Sequence, residues 1–171
     1  ELSSQTKDFI SRIDMSSKDL DTLVSDILDV SRIEQGRMSF KLEKIDPSGI
    51  IEKVVGSFLL PARKKGLTVS FDKSKMTAIR HINADPERLK QVLINLVGNA
   101  VKYTEKGEIA VKEYEEKERL YIRVSDTGIG MTEEEKARLF EKFYRVRTEQ
   151  TKDIRGTGLG LWITGRMIKE M

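Results

Sequence analysis

The chain has 171 residues, 38% hydrophobic and 35% charged, with 31 basic and 28 acidic residues and a net charge of +3. That length suits one ordinary domain plus a small extra element, and the composition suits a soluble globular fold. The sequence has no cysteine, which excludes disulfides and thiolate zinc sites and allows a reducing compartment. An uninterrupted apolar run of about 18 residues, the signature of a membrane span, is also absent. The charges are finely mixed, with no basic block carrying interleaved aromatics, so no nucleic-acid partner is expected. No signal peptide is visible. Glu1 reads as the start of a fragment of a longer protein, so the expectation is a cytoplasmic portion whose parent can carry a membrane anchor elsewhere.

Residues 1 to about 35 lack proline and glycine. Ile13, Leu20, Leu23, Ile27 and Val30 recur at helical steps, and Phe9, Ile10, Val24, Leu28 and Ile33 widen the stripe. The pattern predicts one amphipathic helix of about 50 Å, ending at Gly36. So wide an apolar face calls for another helix to cover it, from a segment outside the chain or from a second chain; the alternative is a helix folded back on its own domain. "SFKLEKI" then alternates like a strand. Asp46 before Pro47 is an N-cap with proline at the first helical position, predicting a helix to about Lys65 before Gly66. "LTVSFD" and "AIRHINA" read as strands. Asp85 and Pro86 repeat the cap signature.

They open a helix containing "LINLVGNAVKYTEKGE". Leu89, Val92, Leu93, Leu96, Val97, Ala100 and Val101 form its apolar face. The opposite stripe is Arg88, Gln91, Asn95, Asn99 and Lys102. Asparagine is a poor helix former, so two of them one turn apart on one face require a reason. "GEIAVKEYEEKERLYIRVSD" predicts a hairpin turning within residues 115–118. The glycine clusters "DTGIG" (126–130) and "GTGLG" (156–160) follow, separated by the charged segment 131–155, and a helix from Leu159 to Met171 closes the chain. The alternation of strands and helices predicts an α+β fold with helices on one face of a sheet.

Neither glycine cluster is a Walker A loop or a dinucleotide fingerprint. Two such elements flanking a long charged connector, the second opening a helix, do suit phosphate held by backbone N–H groups. Asp126 can accept a hydrogen bond from an exocyclic amine such as that of adenine, or simply cap the turn. In "LFEKFYRV", Phe140, Phe143 and Tyr144 either dock a short helix in the core or latch a moving flap, with Arg145 and Arg147 available to phosphate. The asparagine stripe suits Mg²⁺, which takes oxygen ligands, keeps several waters and shares the phosphates of its nucleotide. A neutral amide oxygen binds the ion without repelling a triphosphate. Lys102 continues the stripe toward the phosphates, and Tyr103 beside it can pack on a base or sugar.

Taken together, these residues resemble the ATP-binding domain of sensor histidine kinases, in the superfamily shared with DNA gyrase, MutL and a heat-shock chaperone. "QVLINLVGNAVKYT" resembles the N box, "DTGIGM" the G1 box, "LFEKFYRV" the F box and "GTGLGL" the G2 box, in the family's order. "LVSDILDVSRIEQGRMSF" resembles the second helix of the dimerisation and phosphoacceptor domain running into the catalytic domain. The resemblance implies a Bergerat-type α/β sandwich over 37–171, lacking its last strands, preceded by part of a helical-bundle domain over 1–36. It implies Asn95 as the Mg²⁺ ligand, with Asn99 beside the phosphates. Lys102 and Arg145 would contact phosphate, Arg145 at the γ position. Tyr103 would lie near the nucleoside and Asp126 on the adenine amine. Gly128 and Gly130 would shape the adenine pocket, and Gly156, Gly158 and Gly160 would approach the phosphates. The nucleotide site would lie wholly within 85–160.

The implied activity is transfer of the ATP γ-phosphoryl group to a histidine on an absent helix, then to a response-regulator receiver domain, in a homodimer joined through the helical domain. The only histidine, His81, stands in "RHINADP", which does not match a phosphoacceptor motif. The fragment alone would bind ATP without autophosphorylating. A nucleotide-binding signalling or scaffold module without kinase activity is the alternative. Hydrolysis like that of gyrase or MutL is disfavoured, because "LINLVGNAVKY" has no acidic residue to activate water.

Overall fold

A computed structural model of the protein describes residues 3–75, 81–152 and 154–171. The first element is helix α1 (Ser4–Glu34), started by the Ser3 hydroxyl accepting from the Thr6 N–H. It stops at Gly36, whose φ of 62° lets the Arg37 N–H return to the Arg32 carbonyl at 2.9 Å. Strand β1 (Glu43–Ile45) leads into α2 (Pro47–Lys64), capped by Asp46 as its sequence predicts. After β2 (Leu67–Lys75) and β3 (Ile82–Ala84), α3 (Pro86–Tyr103) begins at Asp85. Strands β4 (Gly107–Glu116) and β5 (Arg119–Asp126) form the expected hairpin, turning through Lys117 and Glu118 with φ of 51° and 61°. Two positive φ values at the turn match the right-handed twist of the paired strands. The short α4 (Glu133–Arg138) and the final α5 (Gly160–Glu170) complete the chain.

The strands form two sheets. In the larger, β2 runs parallel to β4, and β4 antiparallel to β5; in the smaller, β1 and β3 pair antiparallel. Helices α2 and α3 cover one face of the larger sheet. Ile51, Val54 and Val55 of α2 meet Leu89, Leu93 and Val97 of α3 over Val111 of β4. Ala62, Leu67, Ala100, Val101 and Ile109 extend this core toward the other end. The opposite sheet face is polar and aromatic, with Tyr114 and Tyr121 stacked at 5.3 Å. The architecture is therefore α+β, as expected.

Two predicted strands are shorter than the sequence pattern. Of "SFKLEKI", only residues 43–45 pair, because Met38 and Phe40 pack instead against the cluster of Val92, Leu159, Ile163 and Met167. Of "AIRHINA", residues 82–84 pair, His81 is exposed, and residues 78–80 lie outside the described residues.

Asp85 ties these parts together. Its Oδ1 accepts from the N–H groups of Glu87 and Arg88, and its Oδ2 from the Lys41 N–H at 2.9 Å. Burial pushes its carboxyl upward in pKa, but the three N–H bonds and the Arg88 charge outweigh burial and hold it below the ordinary value.

Glu113 presents the opposite balance. It occupies an inward position of β4 and is 1% exposed. Ser48 Oγ donates to its Oε2 at 2.6 Å, while Oε1 is buried without a partner among the described residues. Burial raises its pKa above the ordinary carboxyl value, against the lowering effect of the Ser48 bond. The native state therefore keeps the proton after the unfolded chain has lost it, and stability falls as pH rises through that window. Glu113→Gln is expected to be more stable than the wild type above neutral pH and to lose this part of the pH dependence. Urea denaturation of both proteins from pH 5 to 8 measures it; parallel curves would show that Glu113 does not titrate in the native state.

Candidate functional site

The polar stripe of α3 borders a cleft of about 1210 Å³. Asn95, Asn99 and Lys102 line it together with Tyr103, Asp126, Gly130, Gly156, Gly158 and Gly160. The segment 131–155, the lid, contributes Tyr144 and Arg145; Arg147 is exposed and does not line the cleft. Apart from Gly128 and Arg147, the residues expected from the sequence to hold nucleotide or metal line this one cleft, although they come from α3, the end of β5, the segment 131–155 and the start of α5.

Local hydrogen bonds fix the α3 side of the cleft. Asn95 Nδ2 donates to Thr164 Oγ1 of α5 at 2.8 Å, and Asn99 Nδ2 approaches Asn95 Oδ1 at 3.4 Å. Lys102 sits over the Tyr103 ring at 5.4 Å. Burial, then the Arg145 charge, lowers the Lys102 pKa, while Asp19 of α1 opposes that shift. Two cations held this near each other, in a cleft of amides and glycines, make a place for an anion.

The G1-like loop is tied to the end of α3. Ile129 N–H donates to the Tyr103 carbonyl at 3.3 Å, and Gly128 packs against that same oxygen. Asp126 Oδ1 accepts from the Gly128 N–H at 2.9 Å. Asp126 thus caps its turn, and it also lines the cleft. A carboxylate has a second oxygen, so the two roles open in the sequence are compatible.

The second glycine run approaches these α3 side chains closely. A β-carbon on Gly160 would lie 2.5 Å from Asn95 Oδ1, and one on Gly156 2.7 Å from Lys102 Nζ. Gly158 has φ of +74°, and a β-carbon there would meet the Phe143 backbone at 2.8 Å. The Phe143 N–H in turn donates to the Gly158 carbonyl at 3.0 Å, and Phe143 itself has φ of 60°. The lid is thereby stitched to the glycine run by backbone. Arg145 also holds its base, donating to the Ile154 carbonyl.

Core docking of the lid aromatics does not occur. Phe140 and Phe143 are 55% and 67% exposed, and both follow α4 rather than lying on it. Phe140 leans on α5 at Gly165, and Tyr144 lies under the Arg138 guanidinium at 4.3 Å.

The site is not confined to 85–160. Asp19, Thr22 and Asp26 of α1 and Thr164 and Met167 of α5 also line the cleft. Helix α1 folds back along it: Asp19 pairs with Arg155 at 2.8 Å, Asp26 accepts from the Thr157 hydroxyl at 2.7 Å, and Asp29 accepts from Gln91 at 2.8 Å. Burial is the main cause that raises the Asp26 pKa. Val30 and Ile33 join the apolar cluster of α5. The demand for a covering helix thus holds only for the earlier part of the stripe, where Phe9, Ile13, Leu20 and Ile27 remain exposed. Sequence reasoning followed the apolar stripe and missed the acids. Asp19, Asp26 and Asp29, at steps of seven and three on one side of the helix, were the available signal.

The donor chemistry fits Mg²⁺ bound mainly through a nucleotide. No group of three or more His, Asp or Glu among the described residues could hold a metal alone. Asn95 presents an amide oxygen beside a backbone cradle that a β-carbon at Gly160 would fill. One such protein oxygen, with phosphate and water, suits this ion.

Comparison with known proteins agrees with this geometry. The profile of the "Histidine kinase-, DNA gyrase B-, and HSP90-like ATPase" family matches residues 84–171, and the chain belongs to that family. The circadian input-output histidine kinase CikA of Synechococcus elongatus is 35% identical over 98% of the chain and 22% of its own length. The signal transduction histidine-protein kinase BarA of Escherichia coli K12 is 31% identical over 100% of the chain and 19% of its own length. The chain thus spans about a fifth of these curated relatives. Among solved structures, full-length ShkA in complex with AMPPNP superposes with a TM-score of 0.80 at 29% identity, covering 100% of this chain and 35% of ShkA. The catalytic domain of the histidine kinase ThkA gives 0.64 at 30% identity, covering 78% and 82%. The homologues are sensor histidine kinases of two-component systems, and residues 84–171 form an ATP-binding domain of their type. Among the described residues no helix is long and apolar enough to cross a membrane.

The stitch between lid and glycine run can be broken selectively. Gly158→Ala forces a side chain into left-handed backbone and against Phe143. The expected cost is about 1–3 kcal/mol of stability, read as a lower melting temperature. Wild-type stability would mean that the lid backbone moves aside freely.

Proposed function

We propose that this chain is the nucleotide-binding portion of a sensor histidine kinase that binds Mg²⁺-ATP and passes the γ-phosphoryl group to a histidine on a helix outside this chain. One observation carries the reading: Asn95, Asn99 and Lys102 line one cleft together with Asp126 and with Gly156, Gly158 and Gly160. These are the kinds of group a nucleotide needs: an acceptor for the base amine, a cation and amides for phosphate, and backbone that a ligand can approach closely. In this reading Asp126 takes the adenine amine through the oxygen not used by its turn, and Tyr103, Gly128 and Gly130 bound the nucleoside. Asn99 and Lys102 contact phosphate, and Gly156, Gly158 and Gly160 admit the phosphates near the backbone. Arg145 swings from the lid base to the γ-phosphate.

Bound Mg²⁺ would neutralise phosphate charge, with Asn95 as its protein ligand. The acceptor nitrogen attacks the γ-phosphorus, the bond to the bridging oxygen breaks, and ADP leaves with that electron pair. The protein's share is positioning and charge stabilisation. Residues 1–36 are read as part of a helical unit whose exposed apolar row joins two copies of the parent protein, and 37–171 as the catalytic unit. An aspartate on a response-regulator receiver domain is the onward acceptor.

Asn95→Ala is expected to remove most of the Mg²⁺-dependent part of ATP affinity in a folded protein, read by titrating a fluorescent ATP analogue with and without Mg²⁺. Equal affinity in mutant and wild type would remove Asn95 from the site. Asp126→Asn tests the adenine contact. Guanine presents a carbonyl where adenine presents its amine, so the carboxylate discriminates between them. The mutant should bind ATP more weakly, by about tenfold for one charge-assisted bond, and should lose preference over GTP. Calorimetry with both nucleotides decides; an equal loss for each would leave Asp126 a turn cap only.

A further inference from the structure

We propose that Thr164 of α5 is a positioning residue that orients the Asn95 amide so that its oxygen, not its nitrogen, faces the cation. The inference rests on the reading of Asn95 as the cation-facing residue. The two ends of an asparagine amide have nearly the same shape, and rotation about one torsion exchanges them. Only the oxygen can bind a cation; the nitrogen has no available lone pair and presents two N–H groups. A site that depends on one amide oxygen must therefore hold that torsion.

Two contacts hold it here. Thr164 is 6% exposed, and its Oγ1 accepts from Asn95 Nδ2 at 2.8 Å. On the opposite side Asn99 Nδ2 approaches Asn95 Oδ1 at 3.4 Å. A hydroxyl alone does not choose between amide orientations, because it can accept from the nitrogen or donate to the oxygen. With the Asn99 nitrogen toward Asn95, as it stands here, turning the Asn95 amide over would set two NH₂ groups against each other. A helical threonine can give its own proton to the carbonyl one turn back, which leaves its oxygen to accept. The contact spans α3 and α5, so helix packing fixes its distance. Gly160, one turn before Thr164 on α5, leaves room for Oδ1 on the same wall. The sequence stripe contains both asparagines, but the partner of Asn95 on α5 lies 69 positions away and is invisible to periodicity.

The test compares Thr164→Val, which keeps the shape and removes the hydroxyl, with Thr164→Ser, which keeps the hydroxyl, and with Asn95→Ala. A fluorescent ATP analogue is titrated into each protein with excess Mg²⁺ and with chelator. The Asn95 side-chain NH₂ signals are followed by NMR in nucleotide-free protein. Thr164→Val should lose about tenfold of the Mg²⁺-dependent affinity, keep its affinity in chelator, and show shifted, faster-exchanging Asn95 signals. Thr164→Ser should stay within about twofold of the wild type. If Thr164→Val keeps the full Mg²⁺ increment while Asn95→Ala loses it, Thr164 does no positioning. An equal loss with and without Mg²⁺ assigns Thr164 to packing and also overturns the proposal. If Asn95→Ala keeps the increment, the underlying reading of Asn95 fails instead. Thr164→Ala repeats the comparison should valine disturb the packing of α5.

Discussion

Helix α3 must satisfy three environments at once, and the rest of the molecule is arranged around that constraint. One side carries Leu89, Leu93 and Val97 into the core under α2, and another sets Val92 and Leu96 against α5. The side between solvent and α5 holds amides and a lysine over the cleft. A helix buried on two sides cannot rotate to relieve strain on the third, because a turn would pull apolar residues into water at about 25 cal/mol per Å². The polar groups of the cleft therefore inherit their positions from apolar packing. The same packing accounts for the poor helix formers in mid-helix: Asn95 and Asn99 cost helix propensity, and the core on the other faces offsets that cost.

The electrostatics of the cleft follow from what surrounds it. Lys102 is drawn into partial burial beside Arg145, which disfavours its charge, and the carboxylate of Asp19 acts in the opposite sense. Asp19 and Asp26 reach the lid end through Arg155 and Thr157, groups on either side of Gly156. Helix α1 thus brings carboxylates against the segment around Gly156. The arrangement is favourable in the free protein, and each exposed pair contributes little, at most about 1 kcal/mol.

Much of this was legible in the sequence where a residue acts on its near neighbours. Asp46–Pro47 and Asp85–Pro86 announce two helix starts because cap and proline chemistry are local. The hairpin and the glycine clusters are legible for the same reason. What was not legible depends on partners distant in the chain. Strand β1 looks long because Phe40 alternates correctly, yet Phe40 is claimed by the α5 cluster. The lid aromatics look like core residues by type, but they fall after the six-residue helix α4 and outside the packed layers. Thr164 carries no periodic signal, and the spacing of the acids on α1 marks one side of that helix without naming its partner; only folding brings them to Asn95, Thr157 and Arg155.

The way α1 is fastened has a mechanical consequence. Among the described residues, its apolar grip on the α5 cluster is made by Val30 and Ile33, near the C-terminal end of a 31-residue rod. That grip is a fulcrum, and the polar contacts lie along one arm. Asp19 stands 14 residues from Ile33, about 21 Å along the axis at 1.5 Å per residue. A tilt of about 10° at the fulcrum carries Asp19 through roughly 3.5 Å, beyond the reach of a hydrogen bond. The same tilt moves Asp26, 7 residues from Ile33, by half as much. Sway of the rod therefore releases Arg155 first and Thr157 later, so the angle of α1 sets, in graded order, how many of its carboxylates still grip the segment around Gly156.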